Sequence, residues 1–169
     1  MIKYSLNITG DFSNIQGMNA ELTFPAEVTC TCCNVKHDKI VILTNESHKS
    51  EKDVYKCNYE MSCHSCRVDM RITIKNPEKQ IKKEIKDLYG DPVEVVTCPV
   101  GVNGCNVAIF ETSGVEINCI KDVALNILTE DDQYFENIHA DGTRTVTGEY
   151  PPNKIFSITN YNNEIKRIK

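Results

Sequence analysis

Residues 3–9 read Lys3-Tyr4-Ser5-Leu6-Asn7-Ile8-Thr9, and Gly10-Asp11 follows them. Apolar side chains alternate with polar ones in this stretch, with the period of two residues that is typical of a β-strand with one buried face. The glycine and aspartate after it favour a turn. The sequence therefore predicts a half-buried strand near its beginning.

Stretches with the same character recur along the chain, at residues 21–29, 39–44, 67–74, 93–97, 106–110, 115–120 and 155–159. Many short strands joined by polar loops are typical of antiparallel sheets, so we expect an all-β fold built as a sandwich or an open barrel. A chain of 169 residues can bury a single core. We therefore expect one domain over residues 1–169, with residues 1–76 and 91–169 as two packed halves.

One segment departs from the strand pattern. Asn76-Pro77 offers a helix cap followed by proline, and Gly90 offers a stop. Between them, apolar residues recur at i, i+4 and i+7: Ile81, Ile85 and Leu88. This spacing predicts a short amphipathic helix over residues 77–89 that connects the two halves.

Charge and hydropathy exclude several classes of protein. The net charge is −5; residues 1–89 carry 13 Lys and Arg against 12 Asp and Glu, and residues 90–169 carry 6 against 12. An acidic second half speaks against a broad nucleic-acid surface. The first ten residues lack the apolar run of a secretory signal, and no apolar stretch is long enough to span a membrane. We therefore expect a soluble monomer of the cytoplasm that could also enter the nucleus.

Nine cysteines are present, and four of them form two Cys-x-x-Cys motifs, Cys30-Thr31-Cys32-Cys33 and Cys63-His64-Ser65-Cys66. Each motif can turn two thiolates toward one ion, and zinc prefers four tetrahedral ligands. A reducing compartment favours metal binding over disulfides. The spacing thus predicts one Zn²⁺ per chain, bound by Cys30, Cys33, Cys63 and Cys66 in a closed, structural site.

Other ligand choices stay open from the sequence. Iron could occupy the same four cysteines in a rubredoxin-like site. Cys32 lies inside the first motif and could replace a ligand, although the spacing of the second motif favours Cys30 and Cys33. His37 would serve only in a site of three cysteines and one histidine, and we expect His64 to face solvent.

The remaining cysteines lack metal-ligand spacing: Cys57, Cys98, Cys105 and Cys119. We expect buried, small apolar side chains there. A second metal or a redox pair at Cys98 and Cys105, on either side of a Gly101 to Gly104 turn, is the alternative. The acidic run 130–132 lacks the spacing of a calcium-binding loop. Because hydrolase and kinase motifs are also absent from the sequence, we expect no enzyme activity.

Taken together, these features resemble the CXXC-motif-containing zinc-binding proteins of eukaryotes. The resemblance spans nearly the whole chain and rests on Leu6-Asn7-Ile8 with Asn14-Ile15, the two cysteine motifs, residues 93–98, and the acidic aromatic stretch 131–136 followed by Gly148-Glu149-Tyr150. It implies a two-part β protein with one zinc on the four predicted cysteines and no known reaction. The chain differs from the family in having no tryptophan and in carrying Cys32 inside the first motif.

These observations lead to three hypotheses about function. The first is a zinc-stabilised adaptor that binds other proteins, and the second is a metal-handling or thiol-redox protein with a labile zinc. The third is a nucleic-acid binder that would use basic residues around the site: Lys36, Lys39, Lys49, Lys52, Lys56, Arg67 and Arg71. The net negative charge speaks against nucleic acid as a partner.

Overall fold

The computed structural model describes residues 1–46, 48–49 and 56–169, with side chains given outside residues 47–56. Within these residues all regular structure is strand, which confirms the all-β prediction. No helix there is long and apolar enough to cross a membrane. The strands are β1 (Ile2–Ser13), β2 (Gly17–Ala20), β3 (Thr23–Cys30), β4 (Val41–Thr44), β5 (His48–Lys49), β6 (Lys56–Cys57), β7 (Tyr59–Ser62), β8 (Asp69–Lys75), β9 (Ile81–Lys86), β10 (Pro92–Pro99), β11 (Cys105–Ser113), β12 (Val115–Ile120), β13 (Leu125–Leu128), β14 (Tyr134–Ile138), β15 (Val146–Tyr150) and β16 (Lys154–Ile168).

The strands form antiparallel sheets, one of which curls into a half barrel. The largest sheet has the order β15-β16-β1-β11-β8-β7, and a five-stranded sheet has the order β14-β13-β2-β10-β9. A three-stranded sheet follows the order β12-β3-β4, and β5 pairs with β6. Strand β1 lies in the middle of the largest sheet, between β16 and β11.

The apolar side chains at every second position of residues 4–8 in β1 are buried, as the period of two in the sequence predicts. Tyr4, Leu6 and Ile8 of β1 are all buried. Phe24 of β3 contacts Phe110 of β11 edge to face, with ring centroids 5.2 Å apart, and so joins the three-stranded sheet to the largest one. Burial of such aromatic pairs contributes about 0.5 to 1.5 kcal/mol beyond the apolar area that they remove from water. These contacts make the core continuous between the two sheets.

The predicted helix over residues 77–89 is wrong. Residues Ile81–Lys86 form β9, which pairs with β10 in a hairpin, and Ile85 is buried against Val95 and Leu128. The turn is closed by Asp87, whose Oδ1 accepts hydrogen bonds from the backbone N–H groups of residues 89 and 91 at 2.8 and 2.9 Å. The backbone N–H and C=O groups of this segment form hydrogen bonds with β10 instead of the hydrogen bonds of a helix.

The largest sheet contains strands from both parts of the sequence. β1, β7 and β8 come from residues 1–76, and β11, β15 and β16 come from residues 91–169. The five-stranded sheet likewise places β2 between β13 and β10. The two sequence ranges therefore share sheets, and the zinc-motif segments pack directly on strands of the second range.

Candidate metal centre

The first cysteine motif begins at the last residue of β3. The backbone N–H of Asn34 donates to the Cys30 carbonyl at 3.0 Å, and the N–H of Cys30 donates to the Val35 carbonyl at 3.0 Å. Asn34 has a φ of 58°, in the left-handed region that asparagine tolerates better than most residues. The chain therefore reverses tightly here and brings Cys33 back toward Cys30.

The second motif repeats this turn after β7. The N–H of Arg67 donates to the Cys63 carbonyl at 2.8 Å, and the N–H of Cys63 donates to the Val68 carbonyl at 2.9 Å. Arg67 has a φ of 64°. The two motifs thus have the same hydrogen bonds and the same left-handed residue at the same offset from the first cysteine.

The two turns bring four sulfur atoms together. Cys30, Cys33, Cys63 and Cys66 each place Sγ within 4.8 Å of the other three. The Cys30 and Cys66 sulfurs are 3.6 Å apart, and the Cys33 and Cys63 sulfurs are 3.7 Å apart. A tetrahedral zinc with Zn–S bonds of about 2.3 Å requires sulfur separations of about 3.8 Å. The four cysteines are therefore positioned for a tetrahedral metal ion.

Backbone groups of the second turn prepare one sulfur to bind a cation. The N–H groups of Cys66 and Ser65 donate to the Cys63 sulfur and lower the pKa of that thiol to about 6. At Cys66 the N–H of Val68 lowers the pKa, but burial and the other thiols outweigh it and raise the value to about 12. Four thiols this close cannot all lose their protons without a cation, and a zinc ion would supply that charge.

The other candidate ligands lie outside the four-sulfur cluster. Cys32 is exposed, as expected for a thiol that does not bind the metal. The ring of His37 contacts the ring of His64 edge to face, with centroids 5.8 Å apart. The Nδ1 atom of His37 lies 3.0 Å from the Lys39 carbonyl oxygen. The histidines therefore contact each other across the two motifs, and neither belongs to the group of possible ligands.

A glycine that the sequence analysis did not single out holds the two motifs together. The carbonyl of Gly114, between β11 and β12, accepts a hydrogen bond from the N–H of Thr31 at 3.1 Å. A Cβ atom on Gly114 would lie 2.3 Å from the Asp69 carbonyl oxygen, and its φ is 73°. Only glycine fits between the first motif and β8. A Ser-Gly turn signal was present in the sequence, but it does not reveal which segments the turn touches.

Several of the other charged groups that the sequence singled out form ion pairs. Of the acidic run, Asp131 pairs with Lys154 at 2.6 Å and Asp132 pairs with Lys83 at 2.6 Å. Of the basic residues near the site, Lys36 pairs with Glu27 and Arg71 pairs with Glu60. Lys52 and the side chains of Lys49 and Lys56 lie outside the part of the chain that the structure describes. Among the described residues, the one group of cysteines, histidines and carboxylates close enough to hold a metal is the four-cysteine cluster.

Known proteins are similar to this chain over almost its whole length. An uncharacterized protein of Encephalitozoon cuniculi (strain GB-M1) is 25% identical over 170 residues, which cover 98% of this chain and 99% of that protein. The crystal structure of C1orf123 matches with a TM-score of 0.73 at 14% identity, covering 98% of this chain and 99% of the other. A hypothetical protein from Plasmodium falciparum also has a TM-score of 0.73, at 9% identity, with 98% and 100% covered. At these identities the two structures establish a shared fold.

The family itself is identified by a sequence model. Residues 5–141 match the model described as CXXC motif containing zinc binding protein, eukaryotic. This range includes both cysteine motifs and every sulfur of the cluster. The chain therefore belongs to the eukaryotic CXXC-motif-containing zinc-binding protein family.

Proposed function

We propose that this protein binds one structural zinc ion through Cys30, Cys33, Cys63 and Cys66, and that it acts in the cytoplasm as a non-catalytic module that binds other proteins. The observation that carries the proposal is the spacing of the four sulfurs. A shell of four thiolates leaves no position for water or substrate, which is typical of a structural rather than a catalytic zinc.

The location of the cluster supports a structural role. Cys30 ends β3 of the three-stranded sheet, whereas Cys63 lies between β7 and β8 of the largest sheet. One ion bound to both motifs would therefore join these two sheets. Cys30 and Cys63 are buried, while Cys33 and Cys66 are partly exposed. Zinc would replace apolar packing at a place where the core reaches the surface.

The surface beside the first motif supports protein binding. Val35, Ile40 and Ile42 are 38%, 43% and 54% exposed, and all lie within twelve residues of Cys30. Contiguous exposed apolar patches mark interaction sites, and we propose that these three side chains contribute to such a patch. Proximity labelling in the native cell, with an Ile40→Lys/Ile42→Lys variant as control, would test this role. Identical labelled proteins for both forms would contradict it.

The exposed Cys32 thiol favours a second function, metal handling with a labile zinc. An exposed thiol adjacent to a ligand can attack the metal and assist ligand exchange. The rate of zinc transfer to a chromogenic chelator distinguishes the two functions. Slow transfer that is unchanged in Cys32→Ser supports the structural zinc, whereas fast transfer that the substitution slows supports metal handling.

Elemental analysis of the purified protein tests the site itself. We expect one zinc per chain, released on acidification because protons compete for the thiolates. Iron in place of zinc, or two zinc ions per chain, would overturn the assignment.

A further inference from the structure

A second pair of cysteines lies away from the metal centre, at the turn that joins β10 to β11. Cys98 and Cys105 are buried, with 2% and 1% of their surfaces exposed. The Cys105 thiol donates a hydrogen bond to the Cys98 carbonyl oxygen at 3.4 Å. Between them, the N–H groups of Gly101 and Gly104 each donate to the other's carbonyl at 3.0 Å. The turn therefore places the Cys105 thiol against the Cys98 backbone, so the two cysteines are direct neighbours.

The pair occupies the point where two sheets separate. Cys98 is opposite Met18 in the five-stranded sheet, and Cys105 is opposite Ile8 in the largest sheet. Both cysteines belong to the main core. A covalent bond between their sulfurs would link the two sheets across this corner.

The two thiols differ in their surroundings. Cys98 lines a cavity of about 600 Å³ whose wall also includes Glu78, Lys79 and Lys169, whereas Cys105 does not line it. The neighbouring Cys105 thiol, as a hydrogen-bond donor, lowers the pKa of Cys98, and the same contact with burial raises the pKa of Cys105. Thiolate character and access to solvent are the conditions under which a cysteine reacts with oxidants.

We propose that Cys98 is a site of oxidation by small peroxides and that Cys105 is its resolving thiol. The Cys98 thiolate attacks one oxygen of hydrogen peroxide, the O–O bond breaks, and the products are a sulfenic acid on Cys98 and hydroxide. The Cys105 thiol then attacks the Cys98 sulfur, a disulfide forms, and the sulfenic oxygen leaves as water after taking up the thiol proton. Peroxide is reduced and the two thiols are oxidised, so the electrons balance.

Peptide mapping can separate this pair from the other seven cysteines. Cleavage after Glu94 and Glu111 releases residues 95–111, in which Cys98 and Cys105 are the only cysteines. The full-length, zinc-loaded protein is treated with hydrogen peroxide, blocked with N-ethylmaleimide under denaturing conditions and cleaved with a glutamyl endopeptidase. We expect a peptide that is lighter by two hydrogen atoms and carries no maleimide, formed before zinc is released.

Two variants assign the roles of the thiols. In Cys105→Ala the cross-link is lost, and Cys98 is trapped by dimedone as the sulfenic acid. In Cys98→Ala the Cys105 thiol remains free to take up maleimide. Cys119→Ser, at a partly exposed cysteine outside the pair, is the control and forms the disulfide as the native chain does.

Several results would overturn the proposal. One is uptake of maleimide by both Cys98 and Cys105 after peroxide has already oxidised the zinc cysteines. Another is peroxide oxidation of Cys105 at the native rate in Cys98→Ala. An equal rate of disulfide formation in the urea-unfolded native sequence would also count against it, because the fold would then contribute nothing. The native-chain peptide map decides the matter even where a variant does not fold.

Discussion

At the scale of single residues, the metal centre depends on backbone conformation as much as on the cysteines. Asn34 and Arg67 occupy the left-handed region at the same offset from Cys30 and Cys63. For arginine this conformation costs on the order of 1 kcal/mol, which the hydrogen bonds of the turn and bound metal would offset. The conformation of the turn therefore decides which of two neighbouring cysteines places its sulfur in the cluster. Cys33 does so, and Cys32 does not.

Cys32 and Cys33 provide a direct test of this difference. Cys33→Ser should lose zinc, because the hydroxyl of serine is a poor ligand and the shell keeps only three sulfurs. Cys32→Ser should keep one zinc per chain, since Cys32 is exposed and outside the cluster. Zinc content measured on the two purified variants checks this, and equal loss in both would mean that the ligand set is wrong.

Gly114 is a second residue on which the site depends. Gly114→Ala should lower the free energy of unfolding by on the order of 2 kcal/mol or more, because the new Cβ meets the Asp69 carbonyl and φ is positive. It should also weaken zinc retention. Gly142→Ala is the matched control, since nothing lies within 4 Å of a Cβ there. Urea unfolding of both variants measures the effect; equal stability would contradict the role given to Gly114.

At the scale of elements, residues 81–86 explain why a helix was predicted and a strand formed. Ile81 and Ile85 are four residues apart, and residues at this spacing lie on the same face of a helix and also on the same face of a strand. Leu88, which would have extended the helical face, is 99% exposed at the hairpin turn. Pairing with β10 decided the conformation, and a pairing partner cannot be read from a local period.

Glu27 connects elements around the first motif. Its carboxylate, on β3, lies 2.8 Å from Lys36 in the loop after the motif and 2.9 Å from Lys121 beyond β12. Hydrogen bonds from Lys36 and then Lys121 lower the pKa of Glu27 from 4.5 to about 2. A carboxylate whose pKa is lower in the folded state stabilises the fold at pH values above its unfolded-state pKa. That contribution is lost as the pH falls through the folded-state pKa.

This shift predicts the pH dependence of Glu27→Gln. The native chain should be more stable than the variant above pH 4.5, and the difference should vanish as pH falls toward about 2. Urea unfolding of both proteins at several pH values measures it. Because zinc release on acidification also disturbs β3, the two proteins are compared at matched zinc content. A difference that stays constant across this range would contradict the ion pairs.

At the scale of the whole molecule, the zinc cysteines link strands whose partners lie throughout the sequence. The second motif leads into β8, which pairs with β11, and the first ends β3, which pairs with β12. Cross-linking Cys33 to Cys63 closes a loop of 29 intervening residues and so restricts the unfolded chain. The energy of structural zinc binding, about 10 to 16 kcal/mol in small fingers, is comparable to the stability of a whole domain, about 5 to 15 kcal/mol.

Zinc removal should therefore affect the molecule unevenly. After chelation, amides of β3, β7 and β8 should lose protection from hydrogen exchange, and the effect should extend to the part of β11 that pairs with β8. Amides of β13 and β14 should keep more protection, since their sheet contains no cysteine of the cluster. Hydrogen exchange with mass spectrometry on both forms tests this. Unchanged protection around the motifs would contradict a structural zinc and favour metal handling.

Much of the fold and the site could be predicted from local patterns. The period of two at residues 3–9 predicted β1, and similar patterns predicted β3, β4, β8, β10, β11, β12 and part of β16. Short or irregular strands such as β2 and β15 were missed, because four or five residues do not establish a period. The spacing of two Cys-x-x-Cys motifs predicted which four sulfurs would cluster, because each motif specifies its own turn.

By itself, the sequence determined the β character of the chain and the two cysteine motifs whose sulfurs cluster, since each strand and each motif depends on residues close together along the backbone. Only the tertiary structure decided that residues 81–86 are a strand, that Gly114 fits between the first motif and β8, and that Cys98 and Cys105 meet where two sheets separate. These features depend on contacts between distant segments. Such contacts follow from strand pairing and core packing, which local periodicity does not encode.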